Sequence, residues 1–212
     1  TGYPLAGTDY FAFAKTWYAP EMLRPGCVWT HSLLIPVAQV ASVSVSRLMM
    51  CFRRPHVDGA DAAATTPIVI DDEASVGSIA DGFGDKALAA TIIGAVLGQP
   101  RAVIVVAEAA AQCEAVFLRL WEELWPAARS RFSFCTGALM PRANAGVLLD
   151  LQAVPRAIPP SQFRKSASSA LLLDLRAPSK SEVWSDLVLD GAVKGDTMFR
   201  AWIESAAGAD AG

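Results

Sequence analysis

Apolar and polar residues alternate over Cys27 to Ile35, which predicts a strand. One face carries Cys27, Trp29, His31, Leu33 and Ile35, and the other carries Val28, Thr30, Ser32 and Leu34. Pro36 ends the run. Upstream, Tyr10-Phe11-Ala12-Phe13-Ala14-Lys15-Thr16 is rich in aromatic residues and follows turn residues, so it too reads as a strand. Pro20 and Pro25-Gly26 break the chain between the two. Val37 to Phe52 is ambiguous: its β-branched residues favour strand, whereas Arg47 to Phe52 looks like a short helix closed by Arg53-Arg54-Pro55. His56 to Thr66 reads as a small-residue loop, and Pro67 to Ile70 as a short strand before the acidic turn Asp71-Asp72-Glu73.

Helical spacing takes over further along. Lys86 to Leu97 forms a predicted helix, with Asp85 as its N-cap and Gly98 as its stop. Ala102 to Ala107 is an apolar run of the kind found in buried strands. From Glu108 to Trp125, Cys113, Val116, Phe117, Leu120, Trp121 and Leu124 fall on one broad helix face, and Pro126 marks the end. Arg131 to Thr136 and Gly146 to Leu151 read as strands. Val154 to Ser169 then changes character, with Pro155, Pro159, Pro160 and several serines. Ser179-Lys180-Ser181-Glu182 is a capping box before Val183-Trp184, and Thr197 to Ala206 suggests a last helix.

This order predicts an α/β or α+β fold, a mixed sheet with packed helices followed by a small helical segment. The expected division is a mixed α/β domain over 1–155, a Pro/Ser-rich linker over 156–178, and a helical segment over 179–212 as a candidate start of a following domain. The chain opens without Met, and an upstream segment is expected.

Composition narrows the class. Hydrophobic residues make up 53% and charged residues 18%, enough to fill a core and unlike a disordered chain. The net charge of −3 lacks the basic surplus with which dedicated nucleic-acid binders displace counterions. Nucleic acid therefore falls to a local arginine patch. Cys27, Cys51, Cys113 and Cys135 are widely spaced among apolar residues, and they predict reduced, buried thiols in a cytoplasmic protein. The apolar stretch Ala87 to Gly98 is too short for the roughly 20 residues that span a bilayer, so no membrane is expected.

Candidate chemistry is sparse. There are two histidines. Cys27 and His31 share a strand face but lie about 13 Å apart at strand rise, too far to share a metal or act as a nucleophile–base pair. A hydrogen-bonded, partly buried sheet histidine is the simpler reading of His31. Cys51, His56 and Asp58 lack the paired spacing of a zinc site. Gly82-Phe83-Gly84 is flanked by Asp81 and Asp85, which would repel a phosphate, and no G-x-x-x-x-G-K-[ST] loop or G-x-S-x-G elbow occurs. Neither cofactor nor metal is expected. Two basic groups remain: Arg53 with Arg54, and Arg119, Arg129, Arg131 and Arg142 interleaved with Trp121, Trp125 and Phe132. Exposed Arg beside Trp is common at protein interfaces.

Several strings resemble the N-terminal region of bacterial GTPase-associated protein 1. They are Tyr10 to Trp17, Ala19-Pro20-Glu21-Met22, Arg24-Pro25-Gly26-Cys27-Val28-Trp29-Thr30-His31-Ser32-Leu33-Leu34-Ile35 and Phe52-Arg53-Arg54-Pro55. Weaker matches follow at Trp125-Pro126, Arg129, Phe132 to Thr136 and Asp150-Leu151-Gln152. The resemblance implies an adaptor or regulator encoded beside a GTPase in a bacterial conflict or defence system, with no catalytic residues to carry over. It makes Arg24, Trp29, Thr30 and His31 interaction candidates beside Arg53, Arg54, Arg129 and Arg131. Three functions follow in order: a module that binds a GTPase or another component of a defence complex, an enzyme using His31 with a distant cysteine or acid, and a nucleic-acid sensor using the arginines.

Overall fold

Alternation over the first part of the chain folds as an antiparallel hairpin. The computed structural model describes residues 1–54, 66–70, 85–98, 101–109, 111–162 and 168–176. Strand β2, Tyr10–Tyr18, pairs with β3, Val28–Pro36, without interruption from Tyr10 opposite Pro36 to Tyr18 opposite Val28. Burial follows the predicted faces. Leu33 and Ile35 are buried, Trp29 and His31 are half-buried, and Val28, Thr30, Ser32 and Leu34 are exposed. No local pattern marks β1, Gly2–Pro4, which pairs with β2 on the side away from β3. Gly2 lies against the Phe134 ring, where an added Cβ would approach to 2.6 Å.

The other half of the sheet is parallel. Strand β4, Val103–Ala107, is buried at all five positions, as a strand covered on both faces must be. It is flanked in parallel by β8, Leu151–Pro155, and β9, Leu171–Asp174. The short β5, Phe134–Cys135, joins β8 in parallel and β1 in antiparallel fashion. The seven strands run in the order β3-β2-β1-β5-β8-β4-β9, a mixed sheet consistent with the predicted class. A separate hairpin, β6 (Ala143–Asn144) and β7 (Val147–Leu148), turns through Ala145 and Gly146, both at positive φ.

Four helices complete the described fold: α1 (Val45–Cys51), α2 (Lys86–Leu97), α3 (Ala111–Glu123) and α4 (Pro126–Arg129). Helix α2 has the predicted ends. The Asp85 carboxylate accepts from the N–H groups of Ala87 and Leu88, and Gly98 caps the other end. Helix α1 has no side-chain cap of its own; the Val45 N–H donates to Glu122 Oε1 of α3 at 3.0 Å. Trp121 of α3 is fully buried, with its ring 5.3 Å from Phe11, 5.4 Å from Phe13 and 5.8 Å from Phe134. The larger core includes Val103, Val105 and Ala107 of β4, while the alternate residues Ile104 and Val106 belong to a smaller cluster with Cys135, Leu149 and Val154.

Several expected elements change. Pro67 to Ile70 forms no strand and pairs with none of the described residues; Val69 is 90% exposed. The predicted strand Arg131 to Thr136 shrinks to β5. The predicted strand Gly146 to Leu151 divides at Asp150, whose carboxylate accepts from both the N–H and the hydroxyl of Ser133. Helix α3 starts later than Glu108, and a new helix begins at Pro126, where proline suits a first turn. Within the stretch read as a linker, Leu171–Asp174 form an edge strand of the main sheet. Cys113 and Cys135 are buried free thiols, but Cys27, just before β3, and Cys51, the last residue of α1, are only half-buried. His56, Asp58, the acidic turn at 71–73, Gly82, Gly84 and the helical segment at 179–212 lie outside the described residues.

Candidate functional site

The hairpin turn brings half of the candidate residues together. Between β2 and β3 the chain passes through Pro20, Glu21, Arg24 and Gly26, whose φ of +81° suits glycine. Glu21 points back toward β3. Its Oε1 accepts from the Trp29 indole at 2.8 Å and pairs with the Arg54 guanidinium at 2.5 Å. Arg54 also reaches the Tyr18 carbonyl at 3.5 Å. A backbone N–H at Glu21 itself, then the Trp29 indole and Arg54, hold the Glu21 carboxyl below its ordinary range. One carboxylate thus ties the hairpin to the chain leaving α1.

Beneath this tie lies an aromatic wedge. Phe52 is buried, tilted against Phe13 at 5.5 Å and edge-on to Trp17 at 6.4 Å and His31 at 5.7 Å. His31 Nδ1 accepts from the Arg53 N–H at 3.1 Å. It is a hydrogen-bonded, half-buried sheet histidine, and among the described residues no cysteine or carboxylate bonds to it. Arg53 turns its guanidinium back onto the carbonyls of Met50 and Phe52. Lys15, opposite His31 on β2, sits 5.7 Å from the Trp17 ring centroid.

Trp29, His31, Arg53 and Arg54 therefore form one cluster, organised by Glu21 and Phe52. Arg24 is exposed in the same turn, beside Met22 and Leu23, and Leu23 is 104% exposed. Thr30 faces the other side of the sheet, where its hydroxyl lies 3.0 Å from that of Thr16.

The second basic group does not form a surface. Arg129 is 4% exposed, its guanidinium 4.3 Å above the Trp121 ring, donating to the carbonyl of Ala41 at 3.3 Å and to that of Val43. The Trp121 indole donates in turn to the Arg129 carbonyl at 3.0 Å. Arg129 ties the segment before α1 to the core and is corrected from interface candidate to internal brace. Arg119 pairs with Glu122 and Glu123 along α3. Arg131 and Arg142 are exposed.

A second charged group, absent from the candidates above, lies at the carboxyl ends of the parallel strands. Arg156, just after β8, donates to both Asp174 oxygens at 2.9 and 2.5 Å, and its Nε lies 2.8 Å from Glu108, which also pairs with Arg176. Arg156 above all holds the Asp174 carboxyl well below its ordinary range. The signal was hidden because the partners are distant in sequence. Burial alone pushes the Cys113 thiol up to about 11.

Among the described residues, no three His, Cys, Asp or Glu side chains could hold a metal ion, and no helix is long and apolar enough to cross a membrane. No curated protein and no solved structure matches the chain. Residues 1–52, from β1 through α1 to Phe52, match the family model for GTPase-associated protein 1, N-terminal domain type 1, the N-terminal region that the residue strings resemble.

Proposed function

We propose that the chain is a non-catalytic interaction module of a GTPase-associated bacterial conflict or defence system, and that it meets its partner at the β2–β3 turn. The observation that carries this reading is the bracing of that turn by Glu21, held between Trp29 and Arg54. Bracing lowers the ordering cost of binding, because the turn that carries the contact residues is anchored beforehand. The brace leaves Met22, Leu23 and Arg24 exposed, an apolar pair beside a cation. The match over residues 1–52 supports a GTPase as the partner. His31 gives its Nδ1 to a backbone N–H, which favours a supporting role over general-base chemistry.

The test is co-purification with the GTPase encoded beside this chain, followed by nucleotide turnover. The expected result is a stable complex with altered turnover that Leu23→Asp with Arg24→Glu abolishes. Neither side chain takes part in the brace, so the folded state should survive. A partner that forms no complex in any nucleotide state removes the proposal.

A further inference from the structure

Among the described residues, β3 is an edge strand of the seven-stranded sheet and has none of the devices that normally protect one. Val28–Pro36 contains no charged residue, its register with β2 is unbroken by a bulge, and proline appears only at its last position. Bonds from Ala19 N–H to the Cys27 carbonyl and from Val37 N–H to the Asp9 carbonyl flank the hairpin pairing. Antiparallel ladders alternate, so the odd-numbered residues of β3 bond to β2. Val28, Thr30, Ser32 and Leu34 accordingly direct both backbone groups outward, and among the described residues nothing pairs with them.

The occupant can be read from the residues. Paired antiparallel with a copy of itself about His31, β3 sets Val28 opposite Leu34 and Thr30 opposite Ser32. These are all positions with outward backbone groups. Val28 and Leu34, 55% and 58% exposed, would cover one another, and the two hydroxyl residues would meet on either side of the central pair, where His31 faces its own copy. A slip of two residues would set Leu34 against Thr30 and lose both matches. No charge opposes a like charge in the matched register.

We propose that two copies of this chain join edge to edge through β3, in antiparallel register centred on His31, to make one continuous sheet across a two-fold axis. This goes beyond binding at the turn and does not depend on it.

Sedimentation of the full 212-residue chain at micromolar concentration tests the pairing. The expected result is a dimer. Ser32→Pro removes an outward N–H while leaving the hairpin bonds intact, and it should give a folded monomer with unchanged circular dichroism. Should that variant fail to fold, charge pairs decide. Thr30→Lys with Ser32→Lys, and Thr30→Glu with Ser32→Glu, should each be monomeric alone and form a heterodimer when mixed. A monomeric parent chain overturns the proposal, as does a parent dimer that survives these charge substitutions.

Discussion

The two halves of the sheet are buried in different ways. In the antiparallel half, β2 and β3 bury one face and leave Thr16, Tyr18, Val28, Thr30 and Ser32 exposed on the other. In the parallel half, β4 is buried throughout, and charge is confined to the strand ends, where Arg156 gathers Glu108 and Asp174. The difference shows where each half keeps room for partners. A strand covered on both faces offers only its ends, whereas a half-covered hairpin offers a face, a turn and an edge.

Trp121 is where the comparison breaks most completely, because it stacks on Phe11 and Phe13 of β2 while lying beside Phe134 of β5. Trp121→Ala should cost about 3–5 kcal/mol, read by urea denaturation, and both halves should unfold in one weakened transition. A loss confined to one half would mean that they are separate cooperative units. Gln152 of β8 comes next. It is fully buried, its Oε1 accepting from the Arg142 N–H at 2.6 Å and its Nε2 donating to the carbonyls of Arg142 and Leu149. Gln152→Ala should cost about 1–3 kcal/mol by the same measurement, from backbone groups left unsatisfied. The smallest effect concerns the strand-end charges. A carboxyl held low in the folded state adds stability above its unfolded value of about 3.9, and that stability is lost as pH falls through the folded value. Melting temperature should therefore drop on acidification below about pH 4, and Asp174→Asn should flatten part of that drop.

What the sequence showed and hid follows from the range of the interactions. Elements set by local pattern were legible: the β3 faces, the Asp85 and Gly98 ends of α2, and the apolar face of α3, to which Leu118 is added. β1 and β9 were not, because three- and four-residue strands become strands only when neighbours supply the hydrogen bonds. Of the candidate residues, Trp29, His31, Arg53 and Arg54 meet because β3 and the chain after α1 converge. Arg129 looked like a surface cation because nothing local reveals that Ala41 and Val43 surround it with carbonyls. Glu21 was visible only as part of a motif, since its two partners lie eight and thirty-three residues away.

The order of pairing along the chain also bears on how it comes off the ribosome. Tyr18 meets Val28 almost as soon as both are made, so the hairpin can close early. Val103 of β4 must wait first for Leu151 and then for Leu171. Its fully apolar strand therefore lacks both neighbours until β8 and β9 are made, and this interval should be the one in which the nascent chain is most prone to aggregation.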